Sequence, residues 1–202
     1  MYSKKYSAGL VSQRFWFYEI KDYIYLLNHG NTEAEIKKKS ETENIFGSVS
    51  SSRASEIYNG ARRRVKVLGK EMQILFPKLT VENQKIVVLI SVLLLNDLFL
   101  EFMQEVVQVK MGKGELKLSS TDFKSFFSEK QRSNEVVAGW KPYTYNRLGS
   151  AYRNYLVEAG LLRGEGMDLV ITPKMLDPRL VQWLKSINRI DIARALTGGN
   201  LV

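Results

Sequence analysis

Apolar residues recur at helical spacing along most of the chain, and this pattern predicts a mainly α protein. Over residues 12–28, Trp16, Ile20, Tyr23 and Leu27 are separated by four, three and four positions, so they share one face of a helix. A longer apolar series predicts a second helix from about residue 52 to residue 76. Its members form a seam that can pack along a partner helix: Ile57, Ala61, Val65, Leu68, Met72 and Leu75.

Three further helices complete the predicted N-terminal part. Thr32 and Glu35 have the spacing of a capping box, which predicts the start of a short helix that ends near residue 39. The strongly apolar segments 81–95 and 97–111 are predicted to be core helices. We therefore expect an N-terminal helical bundle over residues 1–118, in which these helices cover one another.

The order of elements changes after residue 118. The sequence predicts a helix capped by Ser120 or Thr121, a short helix, a longer helix, and two short strands around the glycine turn 164–166. A last helix is predicted from Pro178 to about residue 196. This is the order of a winged helix-turn-helix. We expect residues 119–202 to form a winged-helix-like module with a short β-hairpin and a closing C-terminal helix.

The longer helix, predicted over residues 143–159, corresponds in such a module to the recognition helix that enters the DNA major groove. Its apolar inner face comprises Leu148, Tyr152, Tyr155 and Ala159. Arginine binds phosphate or guanine, and asparagine pairs with adenine edges or phosphate. The outer face therefore gives five predicted DNA-binding residues, which are related by steps of three and four positions: Asn146, Arg147, Ser150, Arg153 and Asn154. The alternative is a winged helix that docks a protein.

A second predicted DNA-binding surface lies on the helix over residues 52–76. It consists of five basic residues: Arg62, Arg63, Arg64, Lys66 and Lys70. Three of them stand four residues apart and form one cationic stripe. No acidic residue occurs between Glu56 and Glu71, so the helix does not neutralise this charge itself. The alternatives are a solvated face, or arginines that pair with acidic residues of another helix.

The overall charge favours a polyanionic partner. With 30 Lys and Arg against 21 Asp and Glu, the formal net charge is +9, which suits nucleic acid or an anionic membrane surface. The apolar run 86–95 has ten residues, about half of the ~20 needed to cross a bilayer. Residues 1–14 lack the apolar region of a secretory signal. We therefore expect a cytoplasmic protein without membrane insertion.

Side chains suited to catalysis are scarce. The chain has no cysteine and a single histidine, His29, which argues against thiolate zinc sites and Ser-His-Asp triads. A magnesium-dependent nuclease needs clustered carboxylates, and the tripeptide Glu115-Leu116-Lys117 has no suitably placed aspartate before it. We therefore predict a protein that is not an enzyme and uses no metal, no cofactor and no small-molecule substrate.

Several short stretches, in a fixed order along nearly the whole chain, match one known family. They are Tyr6–Leu10, Arg14–Phe17 with Glu19, Asn44–Phe46, Arg53–Arg64, Asn83–Lys85, Leu98–Phe99, Glu101–Met103, Glu105–Val106, Asp122–Phe123, Phe126–Phe127 and Tyr152–Leu162. In these stretches the chain resembles BrxA, a small component of the BREX bacteriophage-exclusion systems of bacteria and archaea. None of them is a catalytic motif. Trp140-Lys141-Pro142 departs from the polar sequence expected before the recognition-like helix.

The resemblance implies an all-helical cytoplasmic protein that binds double-stranded DNA and acts with other BREX proteins in phage restriction or host methylation. The family is also likened in fold to an RNA-binding antitermination factor, so RNA is an alternative ligand. We expect duplex DNA to be bound with little sequence preference. The alternative from another class is an adaptor that binds other defence proteins, its positive charge being incidental.

Overall fold

The other helices of residues 15–95 pack against the 25-residue helix α3 (Ser51–Leu75). These residues are one of two compact units in the computed structural model. The structure describes residues 6–164 and 169–199. Five of the six predicted seam residues are buried: Ile57, Ala61, Val65, Leu68 and Met72. Their burial holds three further helices against α3, and the 3-10 turn Phe76–Lys78 links it to the last of them. These are α1 (Phe17–Asn28), α2 (Glu33–Thr42) and α4 (Val81–Leu95).

The ring of Trp16, the residue before α1, packs against α3. Its ring lies so close to Gly60 that a Cβ atom there would stand 2.0 Å from the ring. The backbone of Trp16 has φ 57°, in the left-handed region, immediately before α1 begins. Only glycine leaves room for the ring at position 60, so the close approach of the two helices depends on a missing side chain.

Two local features of this unit are the cap of α2 and a kink in α3. The predicted capping box is confirmed, since Thr32 and Glu35 exchange side-chain-to-backbone hydrogen bonds at the start of α2. In α3, Gly69 has φ 73° and ψ 170°, which are not helical angles. The predicted helix is therefore present but kinked at Gly69.

Residues 1–14 and 96–202 make up the other unit. It contains the 3-10 turn Gly9–Ser12, then α5 (Asp97–Phe102), a π-helical segment (Met103–Gln108), α6 (Val109–Gly112), β1 (Lys117–Leu118), α7 (Ser120–Ser133), α8 (Glu135–Ala138), α9 (Pro142–Glu158), β2 (Leu162–Arg163), β3 (Leu169–Ile171), α10 (Pro178–Ser186) and α11 (Ile190–Thr197). The strands form an antiparallel sheet in the order β1-β3-β2. The predicted mainly α fold is confirmed.

Stacked aromatic rings form the core of this unit. Phe99 of α5 stacks on Tyr152 of α9 with ring centroids 4.1 Å apart, and Phe102 stacks on Phe123 of α7 at 4.7 Å. Because α5 contributes these rings, residues 96–118 belong with the segments that follow them. The compact units divide at residues 14/15 and 95/96, and the domain boundary of 118/119 stays a prediction from the sequence.

Three other sequence predictions need comment. The cap of α7 is Ser119, which forms a capping box with Asp122, and not Ser120 or Thr121. The predicted last helix is two helices, α10 and α11, because the chain turns at Asn188 with φ 56°. Of the predicted glycine turn, residues 165 and 166 lie outside the described residues.

The apolar run in α4 is a core segment, as predicted, with Ile86, Val87, Val88, Leu89 and Ile90 all buried. Over the described ranges, no single helix is both long and apolar enough to cross a membrane. Only α4 taken together with residues 97–112 passes that test of length and composition.

Candidate nucleic-acid interface

Helix α9 is fixed by the apolar face that the sequence predicts. Leu148, Tyr152, Tyr155 and Ala159 are all buried. The hydroxyl of Tyr155 also donates to the backbone carbonyl of Arg14 at 3.1 Å. Pro142 begins the helix at a position where no intrahelical N–H is needed. The predicted helix is confirmed, and its opposite face is left to solvent.

The five predicted residues of the outer face of α9 are all exposed: Asn146, Arg147, Ser150, Arg153 and Asn154. The hydroxyl of Ser150 donates to the carbonyl of Asn146 at 3.0 Å, so it offers only its oxygen lone pairs to a ligand. The one acidic residue of the helix, Glu158, is its last residue. The structure therefore brings two arginines and two asparagines together on one rigid, basic surface.

One of the five basic residues of α3 predicted to bind DNA lies in the core. Arg64 is buried, with 2% of its surface exposed. Its guanidinium donates to the carbonyl of Phe15 at 2.6 Å and lies 4.9 Å from the ring centroid of Trp16. The expectation that Arg64 faces solvent or a partner is wrong, because the missing side chain at Gly60 lets Trp16 reach α3, where Arg64 covers its ring.

Arg62 is engaged by an acidic residue of another helix, which was one alternative from the sequence. Its guanidinium donates to the carboxylate of Glu33 at the start of α2. This hydrogen bond raises the pKa of Arg62. Among the described residues, Arg63 and Lys66 are exposed and have no carboxylate within salt-bridge distance, whereas Lys70 follows the kink at Gly69. The cationic surface of α3 is therefore smaller than predicted and interrupted.

A groove of about 900 Å³ lies between α7 and α9, and the sequence analysis did not identify it. Its lining includes one side of α7, at steps of three and four: Ser120, Lys124, Ser128 and Gln131. That polar periodicity is the signal that marks an α7 face turned away from the core. Within the part of the chain that the structure describes, Lys124 and Arg153 are the charged residues of the lining, and no carboxylate lines it.

The two units differ in charge. The unit with α9 has 18 Lys and Arg against 12 Asp and Glu, and the unit with α3 has 12 against 9. Not every cation is available to a ligand. Burial alone would lower the pKa of Lys130, but the carboxylates of Glu101 and Glu105, 2.7 and 2.6 Å away, raise it. Lys130 therefore serves an internal ion pair of this unit.

Candidate metal ligands are not grouped. Within residues 6–164 and 169–199, no three His, Cys, Asp or Glu side chains come together to hold an ion. His29 lies at the end of α1, where its ring stands 3.9 Å from that of Tyr25. Its Nδ1 is 2.8 Å from the carbonyl of Tyr25. This histidine thus has a local role at a helix end.

Comparison with known proteins places these features in a family context. A sequence model of the BrxA family matches residues 4–188. The BREX protein BrxA of Bacillus cereus (strain H3081.97) is 34% identical over 182 residues, which are 90% of this chain and 91% of that protein. An uncharacterized protein from Magnetospirillum magneticum, known from a crystal structure, covers 96% of this chain with a TM-score of 0.79 and 18% identity, and all of that chain is covered. The last likeness shows the fold alone.

Proposed function

The chain belongs to the BrxA family, and on this premise we propose that it is a double-stranded DNA-binding protein of a BREX phage-defence system and not an enzyme. The observation that carries the proposal is the exposed face of α9. Buried aromatic residues hold this helix rigidly, and its outer side presents Arg147 and Arg153 with Asn146 and Asn154. Rigid basic helices of this kind suit the phosphates and base edges of a duplex.

The arrangement around α9 supports a winged helix-turn-helix. β1 precedes α7, the short α8 separates α7 from α9, and β2 and β3 follow as a hairpin that pairs with β1. In such modules the last helix before the hairpin enters the major groove. A helix with side chains is about 10–12 Å wide, and the groove is about 12 Å wide, so α9 has the right dimensions.

Each residue of the face has a distinct proposed role. Arg147 and Arg153 contact phosphates, which fixes the position of the protein without selecting a sequence. Asn146 and Asn154 contact phosphates or base edges. On α3, Arg63 and Lys66 make a weaker additional contribution, since Arg62 and Arg64 are engaged within the protein. Because most contacts are to phosphate, the binding has little sequence preference and depends strongly on salt.

A titration at several salt concentrations tests the proposal. The full chain is titrated against duplex DNA, single-stranded DNA and structured RNA. We expect duplex DNA to bind most tightly, with affinity falling steeply as salt rises. The variant Arg147→Ala/Arg153→Ala should bind more weakly than Lys113→Ala/Lys185→Ala, which removes two exposed cations of other elements and changes the net charge equally.

Other outcomes decide against the proposal. Tighter binding of structured RNA would make RNA the ligand. Weak binding of all three nucleic acids, lost at physiological salt, would favour an adaptor that binds other defence proteins. Equal affinities of the two double variants would remove α9 from the interface.

The partners and the compartment are part of the same proposal. The relative from Bacillus cereus is described as a BREX protein, so other BREX proteins are proposed partners of this chain. We place its action in the cytoplasm, where chromosomal and phage DNA are both present.

A further inference from the structure

The groove between α7 and α9 has the dimensions of a ligand site. Its volume of about 900 Å³ falls in the range of about 300–1,000 Å³ that is typical of small-molecule pockets. Gly149 of α9 helps to keep it open. A Cβ atom added there would stand 3.7 Å from Phe123, an ordinary contact, and any longer side chain would extend into the groove that Gly149 lines.

Aromatic side chains provide much of the lining: Phe123, Phe127, Trp140 and Tyr145. The hydroxyl of Tyr145 is hydrogen-bonded to the carbonyls of Val137 and Trp140, at 2.5 and 3.2 Å, so the ring is held in place. The rings of Trp140 and Tyr145 are half-buried and therefore offer part of their surface to a ligand. Fixed aromatic rings are the usual platform on which nucleobases stack.

The positive charge of the groove lining favours a negatively charged ligand. Lys124 belongs to α7 and Arg153 to α9, and among the described residues no Asp or Glu lines the groove. Serine and amide side chains supply neutral hydrogen-bonding groups: Ser120, Ser128, Gln131, Asn146 and Ser150. An anion with a planar aromatic part fits this lining, and a nucleotide has both its base and its phosphate to offer.

We propose that the groove binds an unpaired nucleotide of DNA, with its base among the aromatic rings and its phosphate near Lys124 and Arg153. The inference rests on the proposed function and specifies the DNA. Asn146, Ser150 and Arg153 belong both to the outer face of α9 and to the groove lining, so DNA lying on this face passes the groove mouth. A duplex with an unpaired base supplies that base at the least unstacking cost.

Three DNAs of one sequence test the inference with the full chain. They are a fully paired duplex, the same duplex with one bulged nucleotide, and the same bulge lacking its base. We expect the bulged duplex to bind about tenfold more tightly than the other two, because only it offers a base for stacking. It should also quench tryptophan fluorescence through Trp140, since Trp16 and Trp183 are 4% and 2% exposed.

Two variants of Gly149 provide a matched pair. Gly149→Leu fills the groove and should abolish the preference for the bulge while paired duplex still binds. Gly149→Ala adds only the Cβ atom and should keep the preference. If thermal unfolding shows Gly149→Leu to be misfolded, Lys124→Ala replaces it, because Lys124 is exposed and its loss should reduce the preference.

Each remaining outcome contradicts the inference. Equal affinity for the three duplexes overturns the nucleotide site but leaves duplex binding in place. A preference that persists in both Gly149→Leu and Lys124→Ala places the bulge elsewhere on the protein. Tighter binding of an acidic peptide than of any DNA, lost in Gly149→Leu, makes the groove a peptide site. Binding of no DNA at all overturns this inference together with the proposed function.

Discussion

Helices α3 and α9 both carry clustered basic residues, yet they place them in opposite environments. On α9 the arginines Arg147 and Arg153 are exposed, and aromatic residues occupy the buried side. On α3 the basic run lies next to Gly60, where the missing side chain lets Trp16 pack so closely that Arg64 becomes part of the core. Apolar spacing alone therefore does not assign a basic residue beside an interior glycine to the surface.

The two helices also differ in the role of an interior glycine. Gly60 of α3 leaves room for the ring of Trp16, since a Cβ atom would lie 2.0 Å from it. Gly149 of α9 has its nearest groups at 3.7 Å, in ordinary contact distance. One glycine is required by packing, and the other only weakens its helix and widens a groove.

Replacing each of these glycines by alanine should have opposite effects on stability. Gly60→Ala forces Trp16 out of position and should lower the free energy of unfolding by about 3 kcal/mol. Gly149→Ala adds helix propensity without a clash and should raise it by up to about 1 kcal/mol. Urea denaturation followed by circular dichroism measures both. A Gly60→Ala protein as stable as the wild type would contradict the close approach of Trp16.

A second pair of variants separates the buried arginine from its exposed neighbour. Arg64→Ala leaves the carbonyl of Phe15 without its 2.6 Å hydrogen bond and removes the cation from the Trp16 ring. We expect a loss of about 2 kcal/mol in unfolding free energy. Arg63→Ala changes an exposed side chain and should leave stability within about 0.5 kcal/mol. Equal losses in the two variants would show that Arg64 is not part of the core.

Sequence periodicity was sufficient for most of the fold. The helices α4 and α9 and the capping box of α2 follow from apolar spacing and capping residues. The kink at Gly69 and the turn at Asn188 were missed, because a positive φ at one residue leaves the apolar spacing on either side intact. Apolar spacing also does not give the limits of the two compact units, because contacts such as that of Phe99 with Tyr152 join residues far apart in the chain.

The candidate site was predictable to the extent that its residues share one helix. The outer face of α9 follows from its inner face. The groove does not, since it needs the relative position of α7 and α9 and the absence of a side chain at Gly149. The ion pair of Arg62 with Glu33 likewise joins two helices, and no spacing within α3 reveals it.

The difference between α3 and α9 should also appear in the salt dependence of DNA binding. Arg147→Ala/Arg153→Ala should weaken duplex binding by about tenfold and reduce the slope of log K against log salt by about 2, because each arginine is proposed to neutralise one phosphate. Arg63→Ala/Lys66→Ala removes the same charge from α3 and should change the slope by less. Fluorescence anisotropy at several salt concentrations measures both slopes. A larger change in the α3 variant would make α3 the principal DNA-binding helix.

The smallest expected effect concerns the buried side of α9, where the side chain of Tyr152 combines a well-packed ring with an unsatisfied hydroxyl. The ring stacks on Phe99 at 4.1 Å, and the hydroxyl has no hydrogen-bond partner among the described residues. Tyr152→Phe keeps the ring and removes the buried polar group, so it should leave stability unchanged or raise it by about 1 kcal/mol. Duplex affinity should not change, because Tyr152 does not reach the outer face.

The pH dependence of that variant gives a second, independent readout. Burial, and next the charge of Glu101, raise the pKa of Tyr152 well above its usual value of 10.0. The unfolded chain then loses this proton near pH 10 while the folded protein keeps it, so Tyr152 contributes a loss of stability as the pH rises above 10. Denaturation is therefore measured at pH 9 and pH 10.5, below and above the usual pKa of tyrosine. The unfolding free energy should fall less between these two pH values in Tyr152→Phe than in the wild type. An identical loss in both proteins would mean that the Tyr152 hydroxyl ionises as freely in the folded state as in water. The inner face of α9 would then be packed too loosely to hold the outer face of the helix rigidly.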